Sequence, residues 1–214
     1  MILLAVDVGN SAVKTALFRD ARPIRRGRPD RVAVSSVNPP LLRDWMPRLK
    51  AHGVPVHLAG RDFRVPMATL CRGAGTDRLL GAYAAWLRCR GPVLVVDAGT
   101  AVTLNLVDAR GRFRGGAILP GPGLMLRSLS GGTARLPSIR PGEAPFPAPD
   151  TRGAMRAGVA MACRGAMREA MREAGGRPRV FLTGGGRGLL RGISPGITEA
   201  PFLVLEGLAA SAPP

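Results

Sequence analysis

Short apolar runs recur along the chain and are separated by segments in which apolar residues follow a helical period. The runs predict strands. The helical periods predict helices at 39–53 and 77–89, and a long helix from Asp150 or Thr151 to about Ala174. Pro47 lies inside the first of these helices and predicts a kink or a break. Strands that alternate with helices, joined in places by hairpins, predict an α/β fold with mixed sheets.

Two local patterns sharpen this picture. In the second predicted helix, one apolar stripe predicts the buried face: Leu79, Leu80, Tyr83, Trp86 and Leu87. Towards the C-terminus, RVFLTGG predicts a strand, a Gly-rich loop follows, and PFLVLEGL predicts a further strand.

The length and the cysteine content limit the class of protein. A chain of 214 residues can bury a core as one compact unit or as two lobes. No apolar run approaches the ~20 residues that span a bilayer, and the start MILLAVDVGN reaches Asp7 too soon for a signal peptide. Three cysteines without CxxC spacing indicate neither a disulfide framework nor a zinc site, and they favour a cytoplasmic location.

The formal net charge of +17 raises nucleic acid as a partner. The basic residues, however, are nearly all arginines, they are scattered, and Ala, Gly and Pro are abundant, which is typical of a GC-rich coding sequence. The densest basic stretch, residues 19–31, is broken by Pro and Gly and contains no aromatic residue for base stacking. We therefore expect loose affinity for polyanions rather than specific nucleic-acid binding.

One motif occurs twice. The segment LLAVDVGNSAVKTALF carries Asp7 and Gly9 between two apolar runs, and VLVVDAGTAVTLNLVD repeats this layout with Asp97, Gly99 and Thr100. Each unit predicts a hairpin whose turn presents a carboxylate and backbone N–H groups. Such turns suit a phosphate chain and its metal, because glycine admits the anion, successive N–H groups form a nest and the carboxylate holds Mg²⁺. Two ordinary hairpins with polar tips are the alternative; the repetition favours nucleotide binding.

The order of motifs along the chain resembles the type III pantothenate kinases and their accessory-factor relatives, within the superfamily of actin, sugar kinases and chaperone ATPases. The motifs that carry this resemblance are DVGNSAVK, GTDR at 75–78, DAGTAVT, GGAILPG, TARLP, TRGAMRAG, TGGG and LVLEGL. The resemblance implies an actin-like (ribonuclease H-like) α/β fold of two lobes, at about 1–90 and 91–214. It also implies ATP-dependent phosphorylation of pantothenate to 4′-phosphopantothenate, the first step of coenzyme A synthesis, by a cytoplasmic homodimer.

The resemblance assigns site residues by position. It implies ATP contacts at Asp7, Val8, Gly9, Asn10, Ser11, Ala12, Val13, Lys14 and Thr100. It places Mg²⁺ at Asp7 and a monovalent cation, K⁺ or NH₄⁺, at Asp97. From chemistry alone Asp97 would be a ligand of Mg²⁺, and Lys14 would equally fit a lysine facing solvent.

The GTDR motif implies the catalytic base and part of the substrate site. Asp77 is the base by resemblance, whereas by position alone it would be an acid favoured by the helix dipole. Pantothenate contacts are implied at Gly75, Thr76, Asp77, Arg78 and Thr151. Arg78 can pair with the pantothenate carboxylate or be one more surface arginine, and Thr151 can contact substrate, cap a helix, or do both.

Several positions depart from the family pattern. Ser11 replaces the usual threonine, Asn105 stands where many members carry an aspartate, and the segment just before GTDR has no aromatic residue beyond Phe63. The chain is also shorter than most members. These departures support a second hypothesis, a non-catalytic regulatory relative with the same fold. Five retained residues favour the kinase: Asp7, Asp77, Arg78, Asp97 and Thr100.

Overall fold

The computed structural model describes residues 1–213, and in this part of the chain the strands form two five-stranded sheets. The first sheet has the order β3-β2-β1-β4-β5. Its strands are β1 (Ile2–Val8), β2 (Val13–Arg19), β3 (Arg22–Ile24), β4 (Arg31–Ser36) and β5 (Val56–Leu58). Strands β1, β4 and β5 run parallel, whereas β2 is antiparallel to β1 and β3. The sheet is therefore mixed, as the sequence predicts.

The second sheet has the order β10-β9-β6-β7-β8, and β6, β9 and β10 are parallel. Its strands are β6 (Val93–Ala98), β7 (Ala101–Val107), β8 (Phe113–Pro120), β9 (Arg179–Thr183) and β10 (Thr198–Glu199). The helices are α1 (Pro39–Lys50), α2 (Thr76–Cys89), α3 (Pro122–Gly132), α4 (Thr151–Glu173) and α5 (Leu203–Ser211). A short 3-10 helix covers Arg187–Leu190.

The chain divides into two compact units. The first contains Met1–Gly91, the hairpin tip Val107–Gly115 and the segment from Phe202 onward. The second contains Pro92–Leu106 and Gly116–Pro201. The first unit is thus built from three separate stretches of chain, whereas the sequence-based lobes are continuous segments, so the lobe boundary near residue 90 stays a prediction.

One face of the first sheet packs against α2 and α5. Leu3, Ala5, Phe18 and Ala33 of the sheet form a buried cluster with residues of both helices. In α2 the fully buried residues are Leu80, Gly81, Ala82, Ala84 and Ala85, while Tyr83 and Trp86 are half-buried. The predicted apolar stripe is therefore only partly right. Small residues fill this face because α5 approaches closely; a Cβ on Gly207 would lie 2.2 Å from the Leu80 carbonyl oxygen.

The C-terminal segment PFLVLEGL is a helix, not the strand that its β-branched and aromatic residues suggest. Leu203, Leu205 and Leu208 of α5 are buried in the first unit. A nearly continuous apolar run fits a buried helix as well as a buried strand, and the packing against α2 selects the helix.

The opposite face of the first sheet packs against α1. Leu49 of α1 is buried with Val6, Val8, Val32 and Val34 of the sheet. The helix runs without a break through Pro47, so the predicted division into two pieces is wrong. Pro47 lies in the last turn, where few residues follow it.

In the second unit, α4 and the 3-10 helix cover the second sheet. Cys163 and Met167 of α4 pack with buried residues of β6, β7 and β9. Five arginines of α4 are spaced at multiples of four residues, which places them on one helix face and predicts a solvated surface: Arg152, Arg156, Arg164, Arg168 and Arg172. This face is not wholly solvated, because two of the five bind backbone carbonyls. Arg156 Nε donates to the Arg140 carbonyl at 3.2 Å, and Arg164 Nε donates to the Leu189 carbonyl at 2.8 Å.

Among residues 1–213, no helix has the length and the apolarity that crossing a bilayer requires. Cys71, Cys89 and Cys163 carry free thiols in the structure. Burial raises the pKa of the Cys163 thiol.

Candidate functional site

The parallel strands of the first sheet end at one edge, and the predicted site residues of the first unit lie there. Strands β1, β4 and β5 end at Val8, Ser36 and Leu58. Helix α2 begins beside this edge, because Thr76 Oγ1 lies 3.2 Å from the position of a Cβ on Gly60, two residues after β5. Ligands of open α/β sheets bind outside the carboxyl ends of the strands. Asp7 and the GTDR segment are therefore placed at the same end of the first unit.

Three polar side chains form a row across this edge. Asp7 lies opposite Lys14 on β2 and opposite Ser35 on β4, so all three share one face of the sheet. Asp7 is 8% exposed and Ser35 is fully buried. The Ser35 hydroxyl makes no hydrogen bond within the protein. A buried hydroxyl without a partner is costly, so Ser35 leaves a donor available beside Asp7.

The turn after β1 is closed by its own backbone and connected to the corner between β4 and α1. Gly9 N donates to the Ala12 carbonyl at 3.0 Å, and Val37 N donates to the Val8 carbonyl at 3.2 Å. The side-chain amide of Asn38 donates to the Asn10 carbonyl at 3.3 Å. Asn10, Ser11 and Ala12 are exposed, so this turn presents its backbone to solvent.

Helix α2 begins with the GTDR motif. Gly75 is the N-cap residue, and Asp77 lies in the first turn, as the sequence predicts. The Asp77 carboxylate folds back over Gly75, with Oδ1 2.6 Å from the position of a Cβ on that glycine. The Asp77 carboxylate can occupy this position only because Gly75 has no side chain.

Arg78 lies over an aromatic ring in the same unit. Its guanidinium carbon is 5.5 Å from the ring centroid of Phe113, which is fully buried. Phe113 is fixed in turn by the loop before α2, since its N–H donates to the Ala68 carbonyl and its carbonyl accepts from Leu70 N. This cation–π contact helps to orient the Arg78 guanidinium.

In the second unit, Asp97 ends β6 next to a Gly-rich turn. Asp97 lies opposite Thr183 on β9, and Gly186 N donates to the Ala98 carbonyl at 2.8 Å. Gly184 has φ +89°, and a Cβ there would lie 2.4 Å from Asp97 Oδ1 and 2.5 Å from the Ala98 carbonyl oxygen. Only glycine allows this approach. The TGGG segment therefore packs directly on the second Asp-x-Gly turn.

Two further predicted positions belong to the second unit. Thr100 lies in the turn between β6 and β7, and its carbonyl accepts from Gly121 N at 2.9 Å. Thr151 is the exposed first residue of α4, and the N-cap is Asp150, whose side chain accepts from Gly153 N at 2.7 Å. Asp150, and not Thr151, therefore caps α4.

Asn105 is buried in β7, where its side-chain amide donates to Thr103 Oγ1 at 2.9 Å. Asp7 and Asp97 do not belong to a cluster of three or more His, Cys, Asp or Glu side chains, and residues 1–213 contain no such cluster.

The family model for type III pantothenate kinases matches residues 22–173. This chain belongs to the type III pantothenate kinase family. The match contains the GTDR segment, Asp97, Thr100 and Thr151, whereas the segment Asp7–Lys14 precedes it.

Curated relatives carry the family name. A type III pantothenate kinase from Alkalilimnicola ehrlichii is 45% identical over 144 residues, which cover 64% of this chain and 58% of that protein. One from Rhodopirellula baltica is 44% identical over 143 residues, which cover 63% of this chain and 52% of that protein. The chain thus spans less than two thirds of the length of these two relatives.

Solved structures show the same fold. A protein of the Baf family of transcriptional activators from Campylobacter jejuni has a TM-score of 0.65 and 22% identity, over 97% of this chain and 96% of that one. The activator of 2-hydroxyisocaproyl-CoA dehydratase from Clostridium difficile, solved with bound ADPNP, has a TM-score of 0.53 and 12% identity, over 98% and 93% of the two chains. The fold is actin-like, as the resemblance predicts.

Neither Ser35 nor Asn38 was predicted from the sequence as a residue of the site. Asn38 followed by Pro39 is a typical helix start and predicts a cap. Its contact with Asn10 depends on the parallel pairing of β1 with β4, which no local pattern reveals.

Proposed function

We propose that this protein phosphorylates pantothenate with ATP, forming 4′-phosphopantothenate for coenzyme A synthesis. Membership of the type III pantothenate kinase family supports this activity. The observation that carries it is the placement of Asp7 and Asp77 at the same edge of the first sheet. A phosphate-binding turn and a general base are then available in one unit of the protein.

Asp77 is the proposed catalytic base. Phosphoryl transfer to an alcohol requires in-line placement, charge neutralisation and a carboxylate that takes the hydroxyl proton. The Asp77 carboxylate receives the proton of the pantothenate hydroxyl as the hydroxyl oxygen bonds to the γ-phosphorus of ATP. The bond between that phosphorus and the bridging oxygen breaks, and ADP leaves with that oxygen. The turn at Gly9, Asn10 and Ser11 offers N–H groups to the phosphates, and Lys14 adds positive charge beside Asp7.

The residues at the first edge fit Mg²⁺. This ion is usually held by one or two carboxylates together with substrate phosphates and several waters, so the single carboxylate of Asp7 suffices. The unpartnered Ser35 hydroxyl lies in register with Asp7 and can donate to a water of that ion. When bound, Mg²⁺ neutralises charge on the transferring phosphoryl group.

In the second unit, Asp97 is the proposed ligand of K⁺ or NH₄⁺, and Thr100 the proposed second ATP contact. Asp97 supplies a carboxylate next to the glycine-rich TGGG backbone, whose carbonyl oxygens suit a large monovalent cation. When bound, a monovalent ion would supply positive charge beside Asp97 in this unit.

Arg78 and Thr151 are the proposed recognition residues for pantothenate, together with Gly75 and Thr76. A guanidinium can bind the pantothenate carboxylate through two N–H groups, and the Phe113 ring holds Arg78 in place. Thr151 is exposed and is not the helix cap, so its hydroxyl is available to the substrate.

We also propose that the protein is cytoplasmic and forms a homodimer. Light scattering of the purified protein measures its molecular mass and thereby tests the homodimer.

The first experiment measures pantothenate-dependent release of ADP with Mg²⁺ and K⁺, for the wild type and for Asp77→Asn. We expect wild-type turnover and a loss of at least about a hundredfold in the variant, the size that removal of a general base gives. Asp44→Asn, an exposed carboxylate on α1, is the control and should keep full activity. Equal turnover by Asp77→Asn contradicts the assignment.

A regulatory relative without catalysis is the second candidate. The observation that favours it is Asn105, which is buried on β7 in place of the aspartate found in many members. If the wild type is folded and binds ATP but releases no ADP with pantothenate, this candidate is the better account.

A further inference from the structure

We propose that Asn38 is a positioning residue for the nucleotide. Through its side-chain amide it fixes the orientation of the Asn10–Ser11 peptide within the turn that is proposed to bind the phosphates. This inference rests on the proposed function, because it assumes that ATP binds at the turn after β1.

The side-chain amide of Asn38 both caps α1 and contacts the turn after β1. Its Oδ1 accepts from Leu41 N at 3.1 Å and caps α1, and its Nδ2 donates to the Asn10 carbonyl at 3.3 Å. Its backbone N–H donates to Ser36 Oγ at 3.2 Å, which fixes the residue at the end of β4. With both ends of the amide engaged, the side chain has one orientation.

The contact with Asn10 determines the direction of the next N–H group. In a planar trans peptide the C=O and the following N–H point in opposite directions. Because the Asn10 carbonyl points towards Asn38, the Ser11 N–H points away from α1. Successive N–H groups directed to one side are what an anion-binding nest requires.

The two ends of the turn are held by other contacts. The Val8 carbonyl accepts a hydrogen bond from Val37 N, and Gly9 N donates to the Ala12 carbonyl. Asn38 adds a side-chain hydrogen bond at the middle of the turn, at an exposed position where the backbone has more freedom. A donor fixed before binding lowers the entropic cost of ordering the loop around ATP.

Two variants separate the role in the turn from the cap. Asn38→Ser keeps a good N-cap residue but is too short to reach Asn10, whereas Asn38→Ala removes both functions. We expect Asn38→Ser to melt at the wild-type temperature, and Asn38→Ala to melt about 2–4 °C lower.

The deciding measurement is the dissociation constant of Mg–ATP without pantothenate, followed by isothermal calorimetry. We expect both variants to bind ATP about fivefold more weakly than the wild type, the effect of losing one hydrogen bond. In the coupled assay the KM for ATP should rise similarly, while the KM for pantothenate stays within about twofold of wild type.

Three results would overturn the proposal. ATP affinity of Asn38→Ser within about twofold of wild type means that the contact with Asn10 does not matter. Weaker binding by Asn38→Ser together with the same loss of melting temperature as Asn38→Ala means that Asn38 acts on stability alone. If the wild type itself does not bind ATP, the proposed function fails and this inference fails with it.

Discussion

At the scale of single residues, the carboxylate of Asp77 has its position because Gly75 has no side chain. The sequence predicts that Asp77 begins a helix, and the structure confirms this. The fold of its side chain back over Gly75 was not predictable, because it depends on the backbone path of the loop. Asn38 is a similar case, since its cap is readable from the sequence and its contact with Asn10 is not.

We predict that Gly75→Ala displaces the Asp77 carboxylate. The new methyl group would lie 2.6 Å from Asp77 Oδ1, and a flexible side chain moves more easily than backbone. The kcat should fall about ten- to a hundredfold, because small misplacement of a catalytic group is costly, while the free energy of unfolding changes by less than about 1 kcal/mol. Steady-state kinetics and urea unfolding measure the two effects.

Gly158→Ala is the control for this substitution. Gly158 is an exposed residue of α4, and a Cβ there meets no atom within 4 Å. It should keep full activity. A Gly75→Ala enzyme with wild-type kcat would show that the position of Asp77 tolerates this shift.

Asp108 gives a prediction about pH. Burial raises the pKa of its carboxyl, but hydrogen bonds from the backbone and side chain of Arg112 and the backbone of Arg110 lower it further, so the net pKa is below the ordinary value. A lowered folded-state pKa means that the ionised carboxylate stabilises the fold above about pH 4, and that this stability is lost as the pH falls through the folded pKa.

Asp108→Asn should therefore lower the free energy of unfolding by about 1–2 kcal/mol at pH 7. The difference from wild type should shrink as the pH falls through the lowered folded-state pKa of Asp108, because the wild-type carboxyl then becomes protonated as well. Urea unfolding at several pH values measures this. A difference that stays constant with pH would contradict the role of the charge.

At the scale of elements, the contact between α2 and α5 shows where sequence patterns reach their limit. The bounds of α2 follow from its periodicity and its GTDR start. The residues it buries follow instead from how closely α5 approaches, which favours Ala and Gly over Tyr83 and Trp86. The same contact explains why the apolar run of α5 is a helix.

We predict that Gly207→Ala and Gly81→Ala have opposite effects, although both lie in this helix pair. A Cβ on Gly207 would lie 2.2 Å from the Leu80 carbonyl oxygen, so α5 must shift and the protein should lose about 2–4 kcal/mol of unfolding free energy. A Cβ on Gly81 would make ordinary contacts at 3.8 and 4.0 Å.

Gly81→Ala should therefore leave stability unchanged or raise it by up to about 1 kcal/mol, because alanine favours the helix. Urea unfolding of the two variants beside the wild type measures both effects. Equal losses in the two variants would show that the contact is looser than the structure indicates.

At the scale of the whole molecule, the mixed α/β class and the family followed from the sequence, because the motifs occur in order along most of the chain. The stretches of chain that make up the first unit could not be predicted from the sequence. Its hairpin tip and α5 come from distant parts of the chain, and only the packed structure brings them to Met1–Gly91.

The net charge of +17 belongs to this scale too. We predict weak retention on a DNA column at about 50 mM salt, with elution below about 300 mM, because a scattered charge makes few simultaneous phosphate contacts. Binding should be equal for unrelated DNA sequences. Retention of the protein at about 500 mM salt would contradict this and would make nucleic acid a specific partner.

The packing of α5 against α2 also has a consequence for synthesis on the ribosome. The ribosome makes the first sheet and α2 early, yet the apolar face that contains Leu3, Ala5 and Phe18 lacks the part of its cover that α5 supplies until α5 is made. All of the chain of the second unit emerges in that interval. At translation speeds of roughly 5–20 residues per second, the nascent protein therefore exposes apolar sheet surface for seconds. We expect chaperones that bind ribosomes to bind this surface.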